Sequence, residues 1–279
     1  MDTLPRLLDP GPSERGWHRI QNALRCLRLY ALAASGELDE FPLSAPLVRG
    51  SLLHVALAHY YKRLQCTQKG LDPEEWFEPI AAVQHVALTK GKESPLWDAW
   101  VGPVTNAYLE YKENFGAQDE RNWEILEVEE ELRALLGPEK KLYTQRADLI
   151  VKDREGRVWI VDHKTAFRLT AKTLDQHILD GQFLGYQHFG RARWGRAFRG
   201  VVVNRIKISD PVGFDRRVLE PAPAALADFV ATVLHGETEI ARHKGRPPRK
   251  WPGIFNSLSC YNKYGKCPAF DLCRFGVDP

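Results

Sequence analysis

The chain has 279 residues, 44% hydrophobic and 27% charged, with 39 basic against 36 acidic side chains for a net charge of +3. This is an ordinary soluble composition, sized for one large domain or one with decorations, and its charge is too near balance to establish a nucleic-acid partner. No stretch reaches the length of a membrane span, the N-terminus lacks the basic-then-apolar order of a signal peptide, and an odd count of five cysteines argues against a disulfide framework; a cytoplasmic protein is expected.

Residues 1–16 contain Pro and Gly and read as an irregular arm; residues 17–279 read as one domain, with 244–279 as its cysteine-bearing end. Trp17, Ile20, Leu24, Leu27 and Ala31 follow helical spacing and predict one helix over 17–34 that contains Cys26. A linker over 35–49 carries Gly36, Pro42 and Pro46, and Ser51 is the expected N-cap of a helix running to about Gln65. Residues 66–95 are mixed, broken at Pro73 and Pro79. Aromatics from Trp97 to Phe115 mark a helix over 96–115, with Pro103 a kink or start. This stripe is read as helix core before it is read as a base-stacking platform.

Strands are predicted over 124–136, 142–151 and 158–164, a helix over 171–193, a strand over 200–208 and a helix over 224–243. The second and third strands make a hairpin. Leu149-Ile150-Val151 and Val158-Trp159-Ile160-Val161 flank a polar turn, 152–157, containing Gly156. Asp162 and Lys164 are two apart and share a face of their strand, and hairpin pairing brings Asp148 beside Asp162. Two carboxylates at one site repel; a divalent cation such as Mg²⁺ removes the penalty, and Lys164 can orient water or offset charge developing on a phosphate. Taken alone, Asp-x-Lys is common and reads as a surface ion pair on a polar hairpin before it reads as a metal site.

Asp148 followed by Ile-Val-Asp162-His-Lys164-Thr resembles the PD-(D/E)XK nuclease superfamily, in particular its RecB-like branch with its CRISPR-associated and phage members. Gln182 and Tyr186, one helical turn apart, are similar to the Gln-x-x-x-Tyr motif of that branch, and Gly50-Ser-Leu-Leu-His54 to its Gly-x-x-x-His motif. The resemblance implies an α+β fold with a restriction-endonuclease-like αβββαβ core, a mixed sheet flanked by helices, a helical N-terminal part and a C-terminal cysteine loop. It further implies a Mg²⁺- or Mn²⁺-dependent deoxyribonuclease, with an exonuclease on single-stranded or end-bearing DNA expected. His54, Asp148, Asp162 and the backbone carbonyl of His163 would hold the metal. Lys164 would position water, and Gln182 and Tyr186 would align the strand. Glu129 is the candidate for a further first-strand carboxylate among Glu127, Glu129, Glu130 and Glu131. The chain departs from the pattern in having Arg146-Ala147 where Gly usually precedes the first Asp, and Asp162 where many members have Glu.

Cys260, Cys267 and Cys273 fall within fourteen residues of the tail. Three thiolates lack the fourth ligand of a Cys₄ site, which Cys26 could supply. The arrangement resembles the iron–sulfur subset of RecB-like nucleases, implying a [4Fe–4S] cluster; zinc and reduced buried thiols are the alternatives, and Cys66 is left over. Arg191, Arg193, Arg196 and Arg199 with Trp194 and Phe198, and Arg242, Lys244, Arg246, Arg249 and Lys250 before Trp251, form basic clusters suited to single-stranded DNA, or else solvated faces. Recombination, repair, phage replication and CRISPR-like processing are the settings implied, with recombination or replication proteins as partners. A non-catalytic DNA-binding or recombination-accessory protein and a structural zinc module are the rival readings.

Overall fold

The computed structural model describes residues 4–8, 10–38, 44–91, 94–262 and 265–276. Pro42, part of the expected linker, lies outside them. A five-stranded mixed sheet in the order β1-β2-β3-β4-β5 forms the centre: β1 Trp123–Leu136, β2 Lys141–Asp153, β3 Val158–Ala166, β4 Phe198–Lys207 and β5 Gly213–Val218. β1, β2 and β3 are joined antiparallel, β3 and β4 are parallel, and β5 returns antiparallel on β4. A parallel step needs a crossover, and α6 (Ala171–Ile178) and α7 (Gly181–Trp194) supply it. The element order is the predicted αβββαβ, and the fold is α+β.

Two cores sandwich the sheet. On one face lie α3 (Ala45–Gln68), α4 (Pro79–Lys90) and α5 (Leu96–Asn122), burying Leu53, Tyr61, Val104 and Tyr111 against Leu149, Val151 and Ile206. On the other, α1 (Trp17–Arg25), α7 and α8 (Pro223–His243) bury Ile20, Phe183, Tyr186, Phe229 and Val233 against Ile150, Ile160 and Val203. Among the described residues no helix is long and apolar enough to cross a membrane.

Several boundaries differ from those expected. Residues 17–34 form two helices, α1 and α2 (Leu27–Ala34), because Cys26 between them is extended at φ −167° and ψ 114°. No local breaker causes this. Arg25 and Arg28 instead reach the carbonyls of Ser259 and Trp251, so tertiary bonds set the corner. α3 starts at Ala45, with Pro46 in its first turn where a missing N–H costs nothing, so Ser51 is interior. α4 occupies much of the region read as mixed, Pro103 lies inside α5, and β5 was not anticipated.

The long helix predicted over 171–193 is broken before Gly181, where Asp180 caps α7 by accepting from the N–H of Gln182. Gly181 and Gly185 let α7 settle onto its neighbours: a Cβ at the first would meet the Trp17 ring at 2.3 Å, and at the second the Gln145 amide at 1.9 Å. Gln145 in turn donates to the Gln182 carbonyl. In the hairpin turn Asp153 accepts from the N–H groups of Glu155 and Arg157 and from the Trp159 indole. That fixes the register in which Leu149 faces Val161.

Candidate active site

The hairpin ladder runs up to Leu149 facing Val161, and the next residue on each strand, Asp148 within β2 and Asp162 within β3, lies just past that last pair. On β1, the pairs Val128 with Leu149 and Glu130 with Ala147 set Glu129 opposite Asp148. Glu129 adopts φ 54°, a left-handed conformation that costs a residue with a Cβ roughly 1–2 kcal/mol and is typically retained where function requires it. His54 comes from the middle of α3, on the sheet's other flank.

One ligand atom from each of His54, Glu129 and Asp148 lies within 4.8 Å of the other two. His54 Nδ1 is 3.5 Å from Asp148 Oδ2, which also accepts the His163 N–H at 2.7 Å. Burial is the main force raising the Asp148 carboxyl above its usual range; Asp162 adds to it, against His54, Lys164 and the His163 N–H. A carboxylate that is expensive to ionise beside a second carboxylate, a third acid and an imidazole is a donor set that a hard divalent cation would relieve. The residues fit such an ion. Saturating Mn²⁺ is therefore expected to raise the melting temperature: a hundredfold excess over the dissociation constant stabilises by about 2.7 kcal/mol, on the order of 5 °C for a chain of this size. In Asp148→Asn that rise should vanish in differential scanning fluorimetry.

Asp162 lies outside the three-ligand group. It is fully buried; Oδ1 accepts from Gln182 Nε2 at 3.0 Å and lies 2.9 Å from the Tyr186 hydroxyl. Its Oδ2 stands 2.6 Å from the Lys164 ammonium. Tyr186, expected to align the substrate strand, has a buried side chain whose hydroxyl donates to Asp162 and to the Arg146 carbonyl at 2.7 Å. Gln182 lines the cleft but also bonds Asp162 and Tyr186. Burial alone would lower the Lys164 pKa; Asp162 and Asp148 outweigh it and hold the ammonium charged.

Behind the site runs a buried polar chain that the sequence did not disclose. The His163 ring stacks on Tyr61 with centroids 5.7 Å apart, and its Nδ1 is 2.9 Å from the Asn204 amide. Asn204 donates to Tyr111, whose hydroxyl is 2.6 Å from that of Tyr61. Tyr61 donates to Asp119, which Arg216 grips with both terminal nitrogens at 2.6 and 3.0 Å. Burial, with help from His54, Arg216 and Lys164, drives the His163 pKa well down, so its ring is neutral. The only hint in the sequence was polar Asn204 and Arg205 inside an apolar strand.

The cleft in front of the site, about 440 Å³, is also lined by the arm, Pro10 to Ser13, and by Trp17, His18 and Gln21 of α1. The arm is tied down where Leu8 donates to His59 and Arg15 to the Thr144 hydroxyl.

The remaining expected site residues lie elsewhere. Arg191, Arg193 and Arg196 sit at the C-terminal end of α7 and just beyond, while Gln182 is at its start, so the helix carries them roughly 14 Å along its axis from the cleft. Arg193 is paired with Glu130, and Arg249 with Glu37. Lys250 lies in a short turn before Trp251. Lys244 and Arg246 line a separate pocket.

The four cysteines named as cluster ligands share one cavity of about 140 Å³, lined by Cys26, Cys260, Cys267 and Cys273. Cys66 is buried by itself in α3. Tetrahedral zinc, with Zn–S near 2.3 Å, would hold its sulfurs about 3.8 Å apart; among the described residues no three cysteine sulfurs lie within 4.8 Å of one another.

No curated protein matches the chain. Among solved structures, one described as "Crystal structure of SSO0001" matches with a TM-score of 0.31 and 17% identity, covering 58% of this chain and 72% of that one. The sequence model of the PD-(D/E)XK nuclease superfamily matches residues 17–274, nearly the whole length. With the mixed sheet and the Asp148, Asp162 and Lys164 constellation on its inner strands β2 and β3, the chain belongs to the PD-(D/E)XK nuclease superfamily.

Proposed function

We propose that this metal-dependent nuclease is a DNA exonuclease of the RecB-like branch, acting on single-stranded or end-bearing DNA. The observation that carries the reading is the convergence of His54, Glu129 and Asp148 beside the Asp162–Lys164 pair. His54, Glu129, Asp148, Asp162 and the His163 carbonyl would hold Mg²⁺ or Mn²⁺. When bound, the ion supplies Lewis acidity toward phosphoryl oxygen and water.

The side chains divide the remaining work. Lys164, held as an ammonium, can donate hydrogen bonds to the attacking water and offset charge on the phosphate, but it cannot take the water's proton. Gln182 and Tyr186 position Asp162 and through it Lys164. The reaction adds water across a phosphodiester: one P–O bond forms, one breaks, and the leaving oxygen gains a proton. The shared cavity of Cys26, Cys260, Cys267 and Cys273 supports a metal centre there, read as a [4Fe–4S] cluster with zinc as the alternative. Recombination, repair, phage replication or CRISPR-like processing are the settings that fit such an enzyme.

The test is cleavage of end-labelled linear and closed circular single-stranded DNA with Mn²⁺, beside Lys164→Ala. Wild type should shorten the linear strand, spare the circle and lose its activity with chelator. Cutting of the circle would make the enzyme an endonuclease. Absence of cutting by protein with an intact metal centre would sink the nuclease reading and leave a DNA-binding module.

A further inference from the structure

A second pocket, about 460 Å³, lies between α1, α2, the end of α8 and the start of β2. Its described lining holds five cations, Arg15, Arg19, Lys141, Lys244 and Arg246, against one carboxylate, Glu237, a net charge of +4. Buried Trp251 forms an apolar wall. Glu237 is itself buried and is gripped by both Arg15 and Arg19, which fixes two guanidinium groups in place. Lys244 and Arg246 are exposed at the rim, with no ion pair among the described residues. Among the described residues Lys141 has only a solvent-exposed pair with Glu139, at 3.0 Å, and such pairs are weak. A concave, cation-lined site with an aromatic wall attracts anions carrying flat apolar groups.

This pocket adjoins the cleavage cleft. Ser13, Trp17, His18 and Gln21 face the cleft, while Arg15 and Arg19 of the same segment face the pocket. On β2, Gln145 lines the cleft and Lys141, four residues earlier on the same side of the strand, lines the pocket. From Lys141 to Asp148 the strand rises roughly 23 Å, a span of several nucleotides.

We propose that this pocket is a second phosphate-binding subsite, holding the single strand several nucleotides away from the bond being cut. The identity of its occupant rests on the nuclease reading; its charge and shape do not. A strand long enough to reach both sites should bind tightly and with strong salt dependence. One that fills only the cleft should not gain from the pocket.

The test is anisotropy of labelled long and short oligothymidylates in chelator, so that no cleavage occurs, over a range of salt. Wild type is compared with Lys141→Ala/Lys244→Ala/Arg246→Ala, which leaves the Arg15–Glu237–Arg19 cluster intact; thermal melting checks the fold. Each phosphate contact on a single strand contributes about 0.7 to the slope of log affinity against log salt, so the triple variant should lose about 2 in slope and at least about tenfold in affinity for the long strand. Lys244→Glu, at an exposed position, gives a second reading should the triple variant misfold. A wild-type slope and affinity in a folded variant would overturn the subsite while leaving the nuclease reading standing if wild type cuts DNA. The loss of slope in a protein that never cuts DNA would do the reverse.

Discussion

Asp162→Asn should lower the cleavage rate by about 10³-fold or more while leaving DNA affinity in chelator close to wild type. The substitution keeps an oxygen able to accept from Gln182 and Tyr186, so the buried hydrogen bonds around Oδ1 can persist. It removes the charge facing Lys164 at 2.6 Å and the carboxylate proposed for the metal. Asp162→Ala is a poorer probe, because it removes the acceptor shared by Gln182 and Tyr186 along with the charge facing Lys164. Single-turnover assays with saturating Mn²⁺ would decide it. Cleavage within about tenfold of wild type would remove Asp162 from the chemistry.

Asp119→Ala should destabilise the fold by about 3–5 kcal/mol, because it leaves the Arg216 guanidinium buried with no counter-charge. Asp119 is 1% exposed, and Arg216 is packed over the rings of Phe115 and Trp123 at 4.1 and 4.7 Å. Burial opposes the charge on Arg216, and Tyr111 and Asp119 more than restore it. Urea unfolding at neutral pH reads the loss. The double replacement Asp119→Leu/Arg216→Met should recover much of it, since removing both charges removes the stranded one. A double variant no better than Asp119→Ala would mean that the hydrogen bonds to Tyr61 and Tyr111, rather than the charge pair, hold α5 to β5.

The hairpin and the αβββαβ order were legible because period-two patterning is local: β-branched runs, a Gly-bearing turn and acidic strand ends all appear within about twenty residues. His54 and Gln182 came from motif spacing, and the cleft does contain them. What stayed hidden depends on contacts distant in sequence. The Cys26 corner is made by bonds to Trp251 and Ser259, and the polar chain from His163 to Arg216 draws on α3, α5, β3, β4 and β5. The full burial of Tyr186 was hidden because helical periodicity gives a face but not what covers it. The arginines of α7 were read from charge interleaved with aromatics, which carries no position relative to the cleft. A helix turns that distance into axial separation.

The joint between Cys26 and the tail has a consequence for how the chain comes apart. Arg25 holds the Ser259 carbonyl, the Ser259 hydroxyl holds the Arg25 carbonyl, and Arg28 holds that of Trp251, all around the cysteine cavity. These bonds close a polymer ring of more than two hundred residues, whose closure costs on the order of 5 kcal/mol of chain entropy. The ring carries β2 and β3 in its interior and two walls of the cation-lined pocket, α1 and the segment before Trp251, at its seam. Opening the seam would release the tail around the cysteine cavity, while α1 would stay anchored in the core by Ile20 and to α8 by the Arg19–Glu237 pair.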